Sequence, residues 1–190
     1  MIRLRNGVEV GDPLRLALDF LARWPDAYEP SRPSSFDERD LRLANRGGAR
    51  ISAAEISAIL ERGRVIEREL RAIPVDASLT AADVPWAELT RLFDAFAGIR
   101  GVGFSKMTKA LHKKRPALIP MLDSVVQAYL PPDASESFGA RATELVRSYK
   151  QDLDRNRTSL RKLRRELARH GYDPTEVRLL DVLIWSVFSG

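Results

Sequence analysis

Cysteine is absent from this 190-residue chain, and histidine occurs only twice, as His112 and His170. The lack of cysteine excludes disulfides, cysteine-ligated zinc and cysteine-ligated iron–sulfur clusters. Two histidines also give little basis for a histidine-based metal site. We therefore predict a protein without metal or cofactor, in a reducing cytoplasm.

Long hydrophobic runs are missing as well. The chain begins with charged residues where a secretion signal would be apolar, and no apolar stretch is long enough to cross a membrane. A hydrophobic content of 44% with 30% charged residues is typical of a globular protein. We predict one helical domain over residues 1–190, without membrane contact. An alternative organisation has two lobes, residues 1–75 with 172–190 and residues 76–171.

Positive charge is unevenly distributed, although the net charge is only +5. Residues 96–170 contain 16 Lys and Arg against 7 Asp and Glu, a net charge of +9, whereas residues 1–95 and residues 171–190 each have a net charge of −2. A localised basic excess is typical of a protein that binds a polyanion. The alternative interpretation is a solvated basic face on ordinary helices.

Helical patterns dominate and predict an all-α fold of about eight helices. Asp12, followed by proline, has the sequence of a helix start. Ser52 with Glu55 predicts a capping box at the start of a long helix that has Gly63 in its middle. A short strand is predicted within residues 1–10 as the exception.

Two glycines one residue apart, Gly101 and Gly103, lie between two predicted helices. Such glycines allow a tight turn whose backbone can come close to a partner. The free N–H groups of the next helix point at the same place, which suits a phosphate. The residues predicted to bind DNA phosphates are Arg100, Gly101, Val102, Gly103, Ser105, Lys106, Lys109 and Lys113.

Residues 92–111 resemble the helix-hairpin-helix motif of DNA-binding proteins, in which an apolar-x-Gly-apolar-Gly turn joins two helices. The matching residues are Ile99, Gly101, Val102, Gly103, Met107, Ala110 and Leu111. Arg100 departs from the motif, since many members have proline there. The resemblance implies that backbone N–H groups bind a DNA phosphate whatever the base. The alternative is an ordinary helical corner whose glycines permit close packing.

Residues 92–129 further resemble the helix-hairpin-helix superfamily of DNA glycosylases. Members carry an Asp at a helix start about twenty residues after the second glycine, the position of Asp123 here. The resemblance implies that Asp123 stabilises the oxocarbenium-like sugar, or orients the attacking water, after the base is flipped. Ser105 stands where bifunctional members have lysine, so the implied glycosylase is monofunctional. The alternative role of Asp123 is to cap the helix that follows it.

A second basic group lies on a later predicted helix. Arg157, Arg161, Arg164 and Arg165, continued by Arg169, follow helical spacing opposite a row of leucines. These arginines could bind phosphates, because the like charges repel unless a partner relieves them, or they could form a solvated face.

Other notable residues are assigned mainly to structure. Residues 45–50 contain two glycines and three polar residues. They lack the preceding strand and the Gly-Lys-Ser/Thr ending of a nucleotide-binding loop, so we predict a helix-ending turn. His112 is predicted to be solvated on the basic helix. Tyr28, in a Pro-rich segment, is the candidate for stacking on a base. The aromatic residues predicted to lie in the core are Trp24, Trp86 and Trp185.

These observations favour a sequence-nonspecific protein that binds duplex DNA through its phosphates on a helix-hairpin-helix scaffold. One alternative is a monofunctional DNA glycosylase that uses Asp123. Another is a protein-interaction domain whose basic face binds an acidic partner. Residues 45–52 and 114–124 also resemble an uncharacterised family of bacterial proteins, which implies no function.

Overall fold

The computed structural model describes residues 1–5, 7–24, 32–131 and 137–189. The predicted all-α fold is confirmed for this part of the chain. The predicted N-terminal strand is wrong, because residues 1–10 contribute one isolated backbone bridge, between Arg3 and Glu9. None of the described helices is long and apolar enough to cross a membrane. Tyr28 lies outside the described residues.

Ten helices are found in the described residues, more than the approximate number predicted. They are α1 Pro13–Arg23, α2 Glu38–Arg46, α3 Ala53–Glu61, α4 Gly63–Ala72, α5 Trp86–Asp94, α6 Phe104–His112, α7 Ser124–Tyr129, α8 Phe138–Arg155, α9 Arg157–Ala168 and α10 Glu176–Phe188.

The predicted long helix after Ser52 is divided into α3 and α4. Arg62 leaves the helical conformation, with φ −96° and ψ 5°, so Gly63 begins α4 rather than lying inside a helix. The Arg62 guanidinium donates hydrogen bonds to Ala95 O at 3.3 Å and Ala97 O at 2.8 Å. These bonds tie the break to the end of α5, a tertiary contact that the local pattern does not contain.

Local capping explains where helices begin. The Asp12 carboxylate accepts a hydrogen bond from Arg15 N at 3.1 Å, ahead of a proline in the first turn of α1. Ser52 and Glu55 form the predicted capping box, in which Ser52 N donates to the Glu55 carboxylate at 2.8 Å. Both predicted helix starts are confirmed.

One connected hydrophobic core holds the helices together. It contains buried side chains from both predicted lobes, such as Leu21 and Ile184 from one and Leu111 and Leu153 from the other. Helix α5 packs on α4 and α8, α2 packs on α6, and α10 packs on α1, α7 and α9. The apolar α10 therefore joins the N-terminal helix α1 to α7 and α9.

The segment between α6 and α7 contains no helix, yet side chains hold its backbone from several directions. Arg115 is 1% exposed, and its guanidinium donates to Leu70 O and Ile73 O, both at 2.7 Å. The predicted solvation of His112 is wrong: the imidazole is buried, with Nδ1 2.7 Å from Ile119 O. This bracing sets the position of α7 relative to α6.

A basic cleft as the candidate functional site

The turn before α6 requires glycine at one of its two glycine positions. Gly101 has φ +82°, in the left-handed region that favours glycine. Gly103 has φ −98° and an extended backbone, and a Cβ atom added there would meet nothing within 4 Å. Val102 is buried in the core, Arg100 is exposed, and Ser105 is half-buried at the start of α6.

A carboxylate from α3 covers this turn. Glu55 accepts hydrogen bonds from Lys106 Nζ at 2.6 and 2.7 Å, and it lies where a Cβ atom on Gly101 would collide with it. The hydrogen bond from Lys106 is the main cause that holds the pKa of Glu55 below its ordinary value. A phosphate at the turn would therefore meet a negative charge that already occupies Lys106.

Lys109 in α6 and Lys113, the residue after its end, line a different surface. This surface is a cleft of about 510 Å³ lined by residues from α1, α2, α6, α7, α10 and the loops beside them. Among the described residues, its cationic lining is Arg23, Arg46, Arg50, Lys109, Lys113 and Arg178. Its carboxylates are Asp123 and Asp181, and its aromatic lining is Phe20, Trp24 and Trp185. Lys109, Lys113 and Asp123 are thus brought together as predicted site residues, whereas the predicted residues 100–106 lie outside the cleft lining.

Lys109 occupies the most crowded part of this charge cluster. Burial is the main cause that lowers the pKa of Lys109, and the nearby Arg178 and Arg50 lower it further, while Asp123 opposes them. Lys109 Nζ donates a hydrogen bond to Gly48 O at 3.3 Å. Arg178 and Arg50 are therefore near enough to repel Lys109, Asp123 attracts it, and a bound anion would add to that attraction.

The loop after α2 supplies part of the cleft that was not predicted as functional. The helix-ending turn is found as predicted, since Gly47 is the C-cap of α2 and the Asn45 side chain bonds both N and O of Ile51. Arg50 has φ +56°, a left-handed conformation unusual for a residue with a side chain. Two arginines flanking a Gly-Gly pair were the available signal in the sequence for a cationic loop.

Asp123 caps α7 and also lines the cleft. Its Oδ1 accepts hydrogen bonds from Val125 N and Val126 N, each at 3.0 Å, so the predicted cap of α7 is confirmed. The half-buried side chain also lines the cleft beside Lys109. No described residue donates a hydrogen bond to its Oδ2, which leaves one carboxylate oxygen unengaged.

Asp181 is a second carboxyl of the cleft, which the sequence analysis missed. It is 3% exposed, its Oδ2 accepts a hydrogen bond from Met121 N at 3.1 Å, and its Oδ1 has no partner among the described residues. Burial raises the pKa of Asp181 to about 7, although the neighbouring Arg178 acts to lower it. An acidic residue within the apolar sequence of α10 was the signal that could have indicated it.

The second basic group lies apart from the cleft lining. Arg157 donates to Thr80 O at 2.7 Å, and Arg164 forms an ion pair with Asp173 at 2.8 Å. Arg161 and Arg165 are exposed on α9. Two of the five arginines of this group are therefore engaged in contacts within the protein.

The predicted core position of the tryptophans is wrong for one of them. Trp24 is 52% exposed, because it follows the last residue of α1 and borders the cleft. Trp185 is half-buried in the cleft lining, with its ring 5.3 Å from that of Phe20 between centroids. Trp86 is half-buried on α5 beneath the Arg147 guanidinium, 4.3 Å from its ring centroid.

No three His, Asp or Glu side chains among the described residues are grouped so that they could hold a metal ion. The cleft lining offers cations, two carboxyls and aromatic rings.

Comparison with known proteins identifies one family. The family described as a family of unknown function (DUF6308) matches residues 20–187, which include every helix from the end of α1 to α10. Neither the curated proteins nor the solved structures contain a match to the chain. The predicted resemblance to an uncharacterised family is confirmed in this form, and the resemblance to DNA glycosylases stays a prediction. The chain belongs to the DUF6308 family.

Proposed function

We propose that the protein binds DNA without base specificity and that the basic cleft is its principal contact with DNA phosphates. The observation that carries the proposal is the lining of the cleft, where six cationic side chains accompany two carboxylates among the described residues. Such a site attracts a polyanion at long range and releases condensed counterions when it binds.

The lysines of α6 and of its C-cap lie in two environments, and this difference favours the cleft over the turn at Gly101 and Gly103. Lys106 is paired with Glu55, whereas Lys109 and Lys113 lie one helical turn apart along the cleft. A phosphate that binds at Lys106 must compete with a carboxylate already in contact. The charged groups that act on Lys109 are Asp123, Arg178 and Arg50, so a phosphate there meets three cations and one carboxylate.

Removal of two cleft charges should weaken DNA binding more than removal of two charges elsewhere. The test pairs the double variant Lys109→Gln/Arg50→Gln with the control Arg161→Gln/Arg165→Gln, which changes the net charge equally. DNA binding is measured by fluorescence anisotropy with a labelled duplex, between about 50 and 200 mM salt. The cleft variant Lys109→Gln/Arg50→Gln should lose at least about tenfold in affinity for the duplex. The slope of log affinity against log salt should fall by roughly 2, because two phosphate contacts disappear.

Three results would contradict this proposal. The first is no binding of the unaltered protein at low salt, which would leave the acidic-partner interpretation. The second is an equal loss in the α9 control. The third is a larger loss in Gly103→Ala, a substitution that the extended backbone and open space at Gly103 accommodate, because that loss would place the contact at the hairpin.

A monofunctional DNA glycosylase is the second candidate function, and the position of Asp123 favours it. One oxygen of this carboxylate caps α7 and the other is unengaged in a cleft that contains aromatic rings. A fixed anion there is suited to stabilise a cationic sugar as the base leaves.

Asp123→Asn should separate the two roles of this residue. Asparagine caps a helix about as well as aspartate, so the free energy of unfolding should change by less than about 0.5 kcal/mol. Base release from a panel of damaged duplexes should fall at least about a hundredfold, because the anion is lost, while DNA affinity stays equal or rises. Asp123→Ala is the comparison for the cap and should cost about 0.5–2 kcal/mol. Full base release by the Asn variant, or none by the unaltered protein, would exclude this candidate.

A further inference from the structure

In its ionised form, Asp181 provides a hydrogen-bond acceptor in the cleft that the protein itself leaves unused. Met121 N donates to Oδ2, whereas Oδ1 is buried and accepts no hydrogen bond from any described residue. The hydroxyl of the neighbouring Tyr149 donates to Val177 O at 2.6 Å and not to Asp181. A buried acceptor without a donor is costly to the folded state. A ligand N–H that reaches Oδ1, as the side chains covering it shift, therefore forms a bond that the free protein lacks.

Aromatic side chains accompany this acceptor. Trp24 is 52% exposed and lines the same cleft as Trp185 and Phe20. Exposed aromatic rings are the surfaces on which nucleic-acid bases stack. The cleft volume of about 510 Å³ also lies in the range of small-molecule sites.

We propose that the cleft holds a single nucleoside phosphate, with its phosphate at Lys109 and Arg50, its base on Trp24, and a base N–H donated to Asp181 Oδ1. This inference rests on the proposed phosphate-binding function of the cleft and adds the chemical group that enters it. A free mononucleotide and one nucleotide of a DNA strand share this chemistry.

The combination of groups favours a nucleoside phosphate over simpler anions. Inorganic phosphate would use the cations and leave both the aromatic rings and Asp181 without a partner. A sugar phosphate adds hydroxyl donors but has no planar surface for Trp24. A nucleoside phosphate has the anion, the planar ring and the ring or exocyclic N–H in one molecule.

Paired ligands that differ in one donor test this recognition. Thymidine monophosphate has one base N–H, and its N3-methyl derivative has none; deoxyadenosine monophosphate and its N6,N6-dimethyl derivative form a second pair. Calorimetry and tryptophan fluorescence, at about pH 8.5 so that the Asp181 carboxyl is ionised, should show at least one unmethylated nucleotide binding about tenfold or more tightly than its methylated partner. Inorganic phosphate should bind more weakly than either. Equal affinity within both pairs would overturn the proposal.

Two protein variants assign that preference to the cleft. In Asp181→Asn the amide oxygen can accept from Met121 N, so an NH₂ group replaces the unused acceptor, and the preference for unmethylated nucleotides should disappear. Trp24→Leu changes an exposed side chain and should weaken all nucleotides while leaving inorganic phosphate unchanged. The proposal would be overturned if Asp181→Asn kept the preference for unmethylated nucleotides and Trp24→Leu kept the affinity for nucleotides. If Asp181→Asn does not fold, Trp24→Leu alone tests the proposal.

A short thymidine oligonucleotide distinguishes the two sources. If the natural ligand is a strand, the oligonucleotide should bind at least about a hundredfold more tightly than thymidine monophosphate. An excess of thymidine monophosphate should still displace the oligonucleotide, because the two share one site. If the ligand is free, the two should bind similarly. Duplex binding without discrimination between the paired nucleotides would defeat this inference and leave the proposed function standing. Discrimination without duplex binding would defeat the proposed function alone.

Discussion

Replacement of Arg115 by methionine should lower the free energy of unfolding by about 3 kcal/mol or more. The guanidinium donates to Leu70 O, Ile73 O, Pro33 O and Lys114 O, at 2.7–2.8 Å. Each carbonyl left without its donor costs roughly 1–3 kcal/mol when buried. The net loss is smaller than their sum, because the variant no longer buries a charge.

Urea unfolding followed by circular dichroism measures this effect. Arg71→Met is a matched control on α4, since its side chain is 60% exposed and forms a surface ion pair with Glu67. That control should change the free energy of unfolding by less than about 0.5 kcal/mol. Equal unfolding midpoints for the two variants would show that the Arg115 hydrogen bonds contribute no net stability. Arg115→Lys should be intermediate, because one ammonium cannot reproduce the fork of donors.

The consequence of losing Arg115 extends to the cleft. Arg115 lies between Lys113, which lines the cleft, and Asp123, which caps α7 and lines the same cleft. Its contacts hold this helix-free segment against the end of α4. We therefore expect Arg115→Met to weaken the proposed DNA binding even under conditions where the variant remains folded.

The stability of the protein should decrease between about pH 4 and pH 7 because of Asp181. Its pKa is about 7 in the folded protein against an ordinary value of 3.8. Below pH 4 the carboxyl is protonated in both states and the full contribution to stability is present. As the pH rises toward 7, the unfolded chain gains from ionisation while the buried group does not. The difference between the folded and unfolded pKa values of Asp181 corresponds to a loss on the order of 4 kcal/mol in the free energy of unfolding.

Comparison with Asp181→Asn isolates this contribution from other titrating groups. The groups that act on Asp181 are Arg178 on the same helix, Met121 N, Tyr149 on α8 and Asp123 at the start of α7. Urea unfolding at pH values from 4 to 8 should show the unaltered protein losing stability relative to the Asn variant as the pH rises. Parallel profiles would mean that Asp181 ionises as easily in the folded protein as in the unfolded chain.

Glu55→Gln provides a control of opposite sign. Its hydrogen bond from Lys106 holds the pKa of Glu55 below its ordinary value, so the stability from this contact is present at neutral pH. It is lost as the pH falls through the lowered pKa. Relative to the Gln variant, the unaltered protein should therefore lose stability toward acid.

Features that depend on residues close in sequence were predicted well. The capping box of Ser52 and Glu55 and the cap formed by Asp123 each involve atoms three residues apart or fewer. Such contacts recur wherever the same short sequence begins a helix. The division at Arg62 was not predicted, because its guanidinium bonds to carbonyls more than thirty residues away.

The cleft was predicted in part. Lys109, Lys113 and Asp123 belong to the basic segment that the charge distribution indicated. Arg50 and Asp181 come from segments whose net charge is not positive, and their own neighbours in sequence suggest a turn and an apolar helix. The packing of α2 on α6 and of α10 on α7 brings them to the same site.

The sequence by itself determined that the protein is all-helical, where several helices begin, and which segment concentrates positive charge. These properties follow from local hydrogen bonds, apolar periodicity and composition. Only the tertiary structure decided that Lys106 is paired with Glu55, that Asp123 both caps a helix and lines a cleft, and that Asp181 joins it there. The physical reason is that burial, pairing and pKa depend on which distant helices come into contact, and no local pattern specifies those contacts.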